Sequence, residues 1–170
     1  MELKEVEFTE DLARTVQIMR QHGLLLSSVD KKGKPNVMAI GWGLPGVIWS
    51  KPIFAVLVRP SRYTYKNIEA TGEFVVSVPA DTMHEVCLHC GSVSGREHDK
   101  FAECSLTLAD AKTVKVPLIE QCVMHYECRV VHRNDVIDSQ LDATVREECY
   151  AGGDLHRVYY GQVLRTVARV

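Results

Sequence analysis

The chain has 170 residues, with 20 Lys and Arg against 22 Asp and Glu. That length suits one domain, residues 1–170, with a sizeable core, and the near-neutral balance argues against a dedicated nucleic-acid surface. No apolar run reaches membrane-spanning length and the opening MELKEVEFTEDL lacks the apolar region of a signal peptide, so a cytoplasmic protein without membrane contact is expected, its six cysteines reduced rather than paired.

Met1 to Phe8 alternates as an edge strand would. Thr9 is an N-cap candidate for a helix to Gln21, with Leu12, Val16 and Met19 at roughly helical spacing. Gly23 to Val29 reads as a strand, Asp30 to Pro35 as a polar turn, and Asn36 to Gly43 as the returning strand of a hairpin. Leu44-Pro45-Gly46 punctuates the chain, and the apolar run Ile53 to Val58 predicts a central strand covered on both faces.

Arg59-Pro60-Ser61-Arg62-Tyr63-Thr64 follows at once and feeds a helix from Arg62 to Ala70, with Gly72 at the position where a left-handed residue ends a helix. Unpaired N–H groups at a helix start, two guanidiniums and two hydroxyls on one turn suit an anion. A plain N-cap on Ser61 or Thr64 beside solvated arginines is the competing reading.

Asp81 to Cys90 is capped by its leading Asp and Thr, Gly91 to Glu97 is a Gly/Ser-rich loop, and Asp99 to Glu103 is one helical turn. Val114 to Glu120 carries a short strand. From Cys122 to Arg133 the alternation places Cys122, Met124, Tyr126, Cys128 and Val130 on one face and His125, Glu127, Arg129 and Arg133 on the other, a half-buried strand. Asp135 to Thr144 and His156 to Val167 supply the remaining strands, broken at Gly152-Gly153. Many short strands with few helices predict a mainly β, α+β domain built on a closed or nearly closed barrel.

The order Asn36, Trp42, Ser50-x-Pro52, the Arg59 to Thr64 turn, Asn67-Ile68 and Thr71-Gly72-Glu73-Phe74-Val75-Val76 resembles the flavin reductase-like family, flavoredoxin type. Ser94-Gly95-Arg96-x-x-Asp99-Lys100-Phe101 and Gly153-Asp154-x-His156 leading into Tyr160-Gly161-Gln162-Val163 fit as well, so the resemblance runs from about Gly23 to Leu164. It implies a split β-barrel that binds FMN, with FAD as the other flavin to consider. NAD(P)H or a redox protein would supply the electrons.

On that resemblance Arg59, Ser61, Arg62 and Thr64 would hold the phosphate, while Ala39, Ile40, Gly41 and Trp42 lie beside the ring system, with Asn36 earlier on the same strand. Ser50 leads towards the flavin through Ser-x-Pro. Ser94, Gly95, Arg96 and Lys100 belong to a loop that covers the cofactor, often that of the neighbouring subunit, and His156 lies near the ring. Two barrels would pair as a homodimer with the flavin between them. Each residue also has a plainer reading: Trp42 as core, Ser50 as a turn residue, His156 as a structural histidine.

Cys87-Leu88-His89-Cys90, with His84 before it and His98 after, offers a metal or dithiol alternative. No second cysteine pair at zinc-finger spacing follows, and the pair sits late in its helix, so buried thiols are the expectation. No acid, base or nucleophile is assigned, because the flavin performs the chemistry and the protein positions it. Two functions are compatible: an oxidoreductase that takes a hydride from a nicotinamide nucleotide, and a non-catalytic electron carrier or flavin-storage protein without a nicotinamide site.

Overall fold

A computed structural model describes residues 3–169. In chain order the elements are β1 (Leu3–Glu5), α1 (Leu12–Gln21), β2 (Leu24–Val29), β3 (Pro35–Ile40), β4 (Gly43–Ile48), β5 (Lys51–Val58), α2 (Tyr63–Thr71) and β6 (Glu73–Val78). There follow α3 (His84–Ser92), α4 (Lys100–Glu103), β7 (Leu108–Ala109), β8 (Leu118–Ile119), β9 (Met124–Asp135), α5 (Ala143–Tyr150) and β10 (Arg157–Arg169). Of the edge strand expected over Met1 to Phe8, Leu3–Glu5 is present, while Met1 and Glu2 lie outside the described residues. Among the described residues no helix is long and apolar enough to cross a membrane.

One antiparallel sheet orders its strands β3-β2-β6-β9-β10-β5-β4, with β1 added against the far half of β10. Its two free edges, β3 and β4, are consecutive in the chain and joined only by Gly41 and Trp42. The sheet must therefore curl until its edges nearly meet, which makes an incompletely closed barrel of the expected mainly β class. The linker lies at the seam.

The core explains the strand sequences. Leu24 and Leu26 point into the barrel with Phe54, Phe74, Tyr126 and Tyr159, while Leu25 between them faces outward onto α3 with Val37, Cys87 and Cys90. A strand buried on both faces has no need of polar alternation. Gly161 lies where β9 and β10 slip register, and a Cβ there would stand 2.3 Å from Phe74 Cζ, so only glycine lets the ring pass.

Four expectations are corrected. Leu44-Pro45-Gly46 is not a turn but the middle of β4; Pro45 is tolerated because β4 is an edge strand, and the reversal falls at Trp49 and Ser50, both at positive φ (54° and 55°). Asp135 to Thr144 is not a strand: β9 ends at Asp135, a 3₁₀ turn spans Asp138–Gln140, and α5 follows, capped by the Asp142 carboxylate on the Thr144 N–H. α1 starts three residues after Thr9 and buries Thr15, Ile18 and Met19, leaving Val16 exposed; the Thr15 hydroxyl sits 2.9 Å from the Tyr126 hydroxyl.

The fourth concerns β9, where His125 and Glu127 are fully buried rather than solvent-facing. The Glu127 carboxylate accepts the N–H groups of Lys112 and Thr113, the Thr113 hydroxyl and the Arg165 guanidinium at 2.7–3.0 Å. A buried charge persists only with such partners.

Candidate functional site

Two small cavities open at the barrel seam. The first, about 210 Å³, is lined by Met38, Ala39, Ile40, Gly41, Trp42, Leu57, Arg59, Arg62 and His156. The second, about 230 Å³, is lined by Asn36, Met38, Ser61, Arg62, Tyr63, Thr64, Gly91, Val93, Ser94, Gly95, Arg96 and Lys100. Met38 and Arg62 belong to both. Fourteen of the fifteen site residues read from the sequence line one or the other. Ser50 is the exception: it is exposed at the tip of the β4–β5 hairpin, a full strand length from Arg59, so it is set apart from the rest of the site.

The second cavity gathers the groups expected to cradle an anion. Arg62 precedes the first residue of α2 and its guanidinium has no hydrogen-bond or ion-pair partner among the described residues. Thr64, buried, accepts the Asn36 amide N–H at 2.8 Å. Its own hydroxyl proton is thus left to donate elsewhere. Lys100 is 4% exposed, and its ammonium donates to the carbonyls of Val37 (2.9 Å) and Cys90 (2.8 Å), leaving one of three N–H groups. Burial pulls its pKa down from the ordinary lysine value. It ties α4 to β3 and α3 and brings its charge beside the cradle.

The Ser94 to Arg96 loop closes the cradle of its own chain. Arg96 donates to the Ser61 carbonyl at 2.9 Å and stacks 5.5 Å from the Tyr63 ring centre. Gly95 must be glycine, since a Cβ there would stand 1.8 Å from Asn36 Oδ1. His89 and His98 each meet one oxygen of Glu103, at 2.7 and 3.0 Å, which fastens the far end of that loop.

Two of the expected anion ligands are already engaged. The Arg59 guanidinium donates to the carbonyls of Cys149, Gly153 and Asp154 at 2.9–3.2 Å and lies over the Tyr150 ring. It pins the loop after α5 rather than facing an anion. The Ser61 hydroxyl donates to the Asp154 carboxylate at 2.5 Å. Arg62 is the free cation of the turn among the described residues, and Arg59 supports it.

The first cavity is an aromatic wall. Trp42 is 43% exposed, so it is not core, and it packs 5.0 Å from His156 and 6.2 Å from Tyr150. His156 Nδ1 is 2.8 Å from the Tyr150 hydroxyl. Burial first, then the nearby Arg59 charge, push the His156 pKa down to about 4, which keeps the ring neutral at pH 7. A neutral imidazole beside an open indole is a surface that suits a planar polar ring, and Arg62 lines both this cavity and the second one. Met38 and Tyr150 were not singled out from the sequence, and Tyr63 and Asp154 stood in the motifs without being read as site residues. Met38 carried a signal, since it is the next same-face neighbour of Asn36 on the strand.

The cysteine pair lines neither cavity. Cys87 and Cys90 are buried under α3 with Cys122, and burial raises their thiol pKa values to about 11 and about 12. Thiols held protonated are poor metal ligands and poor nucleophiles. Cys87→Ala with Cys90→Ala, or treatment with a chelator, should leave flavin bound per folded molecule unchanged in a titration; loss of flavin by either route would give the pair a role.

Residues 19–169 match the family model for the flavin reductase like domain. An uncharacterized protein of Archaeoglobus fulgidus is 39% identical over 118 residues, which cover 69% of this chain and 64% of that protein, so the chain spans less than two thirds of that relative. Among solved structures, flavoredoxin from Methanosarcina acetivorans is similar at a TM-score of 0.68 and 26% identity, over 87% of this chain and 69% of that one. Flavoredoxin of Desulfovibrio vulgaris gives 0.70 at 23% identity, over 86% and 69%. Both likenesses are of fold, the split β-barrel that the sequence resembles.

Proposed function

The chain belongs to the flavin reductase like domain family, and from that premise we propose that it is an FMN-binding oxidoreductase. The observation that carries this reading is Arg62: a guanidinium without a partner among the described residues, shared by the aromatic cavity and the anion cradle. FMN has the matching parts, a flat ring system and a single terminal phosphate. Thr64, Arg62, Arg96 and the cradle backbone would take the phosphate. Trp42, Ile40, Gly41 and neutral His156 would line the ring. When bound, FMN supplies hydride acceptance and onward electron transfer. The electrons would come from a nicotinamide nucleotide or a redox protein, in the cytoplasm, where six free thiols stay reduced.

The same reading includes a homodimer. The free edge strand β4 exposes Leu44 (72%) and Val47 (71%), and Trp49 (56%) stands at its tip. An unpaired apolar edge is a surface that soluble proteins ordinarily cover. A two-fold pair would cover it, set the flavin between barrels and shield its outer face from oxygen. Purified protein mixed with FMN should show the visible absorption of bound oxidised flavin. Sedimentation at micromolar concentration should show a dimer that FMN tightens. No flavin bound would overturn the whole reading; a monomer with full flavin occupancy would overturn only the interface placement.

A further inference from the structure

Tyr150 bears on the first cavity without lining it. It ends α5, is 7% exposed, and its hydroxyl lies 2.8 Å from His156 Nδ1. Both ends of that hydrogen bond are held. The His156 carbonyl accepts the Val136 N–H at 2.9 Å, which ties the histidine to the chain just past β9. The Arg59 guanidinium lies over the Tyr150 ring and donates to the carbonyls of Cys149, Gly153 and Asp154, so it clamps the loop that joins the two residues. A neutral imidazole carries one proton, and the hydrogen bond made at one nitrogen decides where that proton sits. No other acceptor among the described residues reaches the Tyr150 hydroxyl, so its proton goes to Nδ1. A phenol is also the stronger acid and an imidazole nitrogen the stronger base of the two groups. Burial raises the Tyr150 pKa, so the phenol keeps its proton to share. The imidazole proton is then left on Nε2. That atom has no partner among the described residues, yet it is not sealed in the protein as His125 Nε2 is. It is what His156 offers to the cavity it lines.

We infer that Tyr150 is a positioning residue: it fixes His156 as the Nε2–H tautomer and so makes the first cavity a hydrogen-bond donor to the ring it holds. The rest of the lining agrees. The other side chains there that carry nitrogen are Trp42, Arg59 and Arg62, which donate and cannot accept, and no lining side chain carries an oxygen. Such a cavity suits a planar ring whose edge presents carbonyl oxygens or unprotonated nitrogens, and disfavours an edge of amino groups. The identity of that ring rests on the flavin reading; the tautomer does not. A flavin offers acceptors of this kind. A donor at its edge steadies the electron density that the ring gains on reduction, so the reduced flavin should be held more tightly relative to the oxidised one. Were Nδ1 to carry the proton instead, Nε2 would meet the same edge as an acceptor and the preference would be lost.

Long-range proton–nitrogen NMR of the full ¹⁵N-labelled chain at pH 7, without flavin, reads the tautomer. The chain has seven histidines, and the signals missing from His156→Gln assign the one that matters. His156 should show a protonated Nε2 and an Nδ1 moved upfield by the hydrogen bond it accepts. In Tyr150→Phe, which removes only the hydroxyl, Nδ1 should move downfield and both nitrogens should broaden as the tautomers exchange. A protonated Nδ1 in the unaltered chain overturns the inference, and that result needs no variant of Tyr150 to fold. A His156 signal that Tyr150→Phe leaves unmoved overturns it as well. The second readout is the potential of the FMN-loaded chain, taken by reductive titration against a reference dye. It should fall by about 30 mV in Tyr150→Phe, a tenfold loss of preference for the reduced flavin at two electrons. An unchanged potential at full FMN occupancy overturns the donor role towards the ring. If the NMR result is as expected but FMN does not bind, the flavin reading falls and the positioning role of Tyr150 stands.

Discussion

Arg62→Ala should weaken FMN about ten- to a hundredfold and change riboflavin little. The guanidinium has no competing partner among the described residues, so its removal costs the fold almost nothing and the whole loss appears in binding. A hydrogen bond to a charged group is worth about 1.5–3 kcal/mol, which sets the expected range. Riboflavin lacks the phosphate and should not register the change. Arg59→Ala is the informative companion. Arg59 spends its donors on the carbonyls of Cys149, Gly153 and Asp154, so its loss frees the segment that carries Tyr150 and His156. FMN and riboflavin should then weaken together. Fluorescence titrations of both variants with both ligands separate the roles, and an equal loss of the two ligands in Arg62→Ala would remove the phosphate assignment.

That division of labour between two arginines three residues apart was not legible in the chain. Composition and spacing put both on a turn before a helix, which is correct, but what each guanidinium reaches depends on a loop ninety residues later. The cradle was legible in part: the turn and the start of α2 are contiguous in the chain, whereas Asn36 and the Gly/Ser loop, whose Gly95 leaves room for it, came only from the resemblance. Ser50 misled because Ser-x-Pro next to an apolar run looks the same whether it enters a site or turns a hairpin. The plainer reading of Ser50 as a turn residue is the one the hairpin bears out, at a positive φ, shared with Trp49, that its residue type rarely adopts. Pro45 and Gly46 misled in the opposite sense. A proline is a break in a central strand but harmless on an edge, and edge position is a property of the folded sheet.

The alternation through β9 carried the other systematic error. A polar residue at every second position predicts a wet face, yet in this barrel the outward face of β9 is covered by the segment that runs from Lys112 to Ile119. Glu127 is answered there by Arg165 and two backbone N–H groups. His125 is answered less fully, and it has the larger consequence for stability.

Acidification should unfold the protein partly through His125. The ring is fully buried, its Nδ1 is 2.9 Å from the cross-strand Ser77 hydroxyl, and its Nε2 has no partner among the described residues. Burial, aided by the Arg169 charge, pushes its pKa down from 6.5 to about 4. The folded form therefore keeps the ring neutral, while the unfolded chain takes up a proton near the ordinary value. Between those two pH values the unfolded state binds more protons, so stability falls as pH falls through that window. The gap corresponds to roughly 3 kcal/mol once pH reaches the lower value, a large share of a typical domain's stability. His125→Gln provides the control, because its amide can still reach the Ser77 hydroxyl and does not titrate. Urea unfolding from pH 7 to pH 4, at fixed protein concentration, should show a steeper loss for the unaltered chain than for the variant. Carboxylates titrate alike in both and drop out of the difference. Parallel curves would mean that His125 charges without cost, through water reaching its free nitrogen.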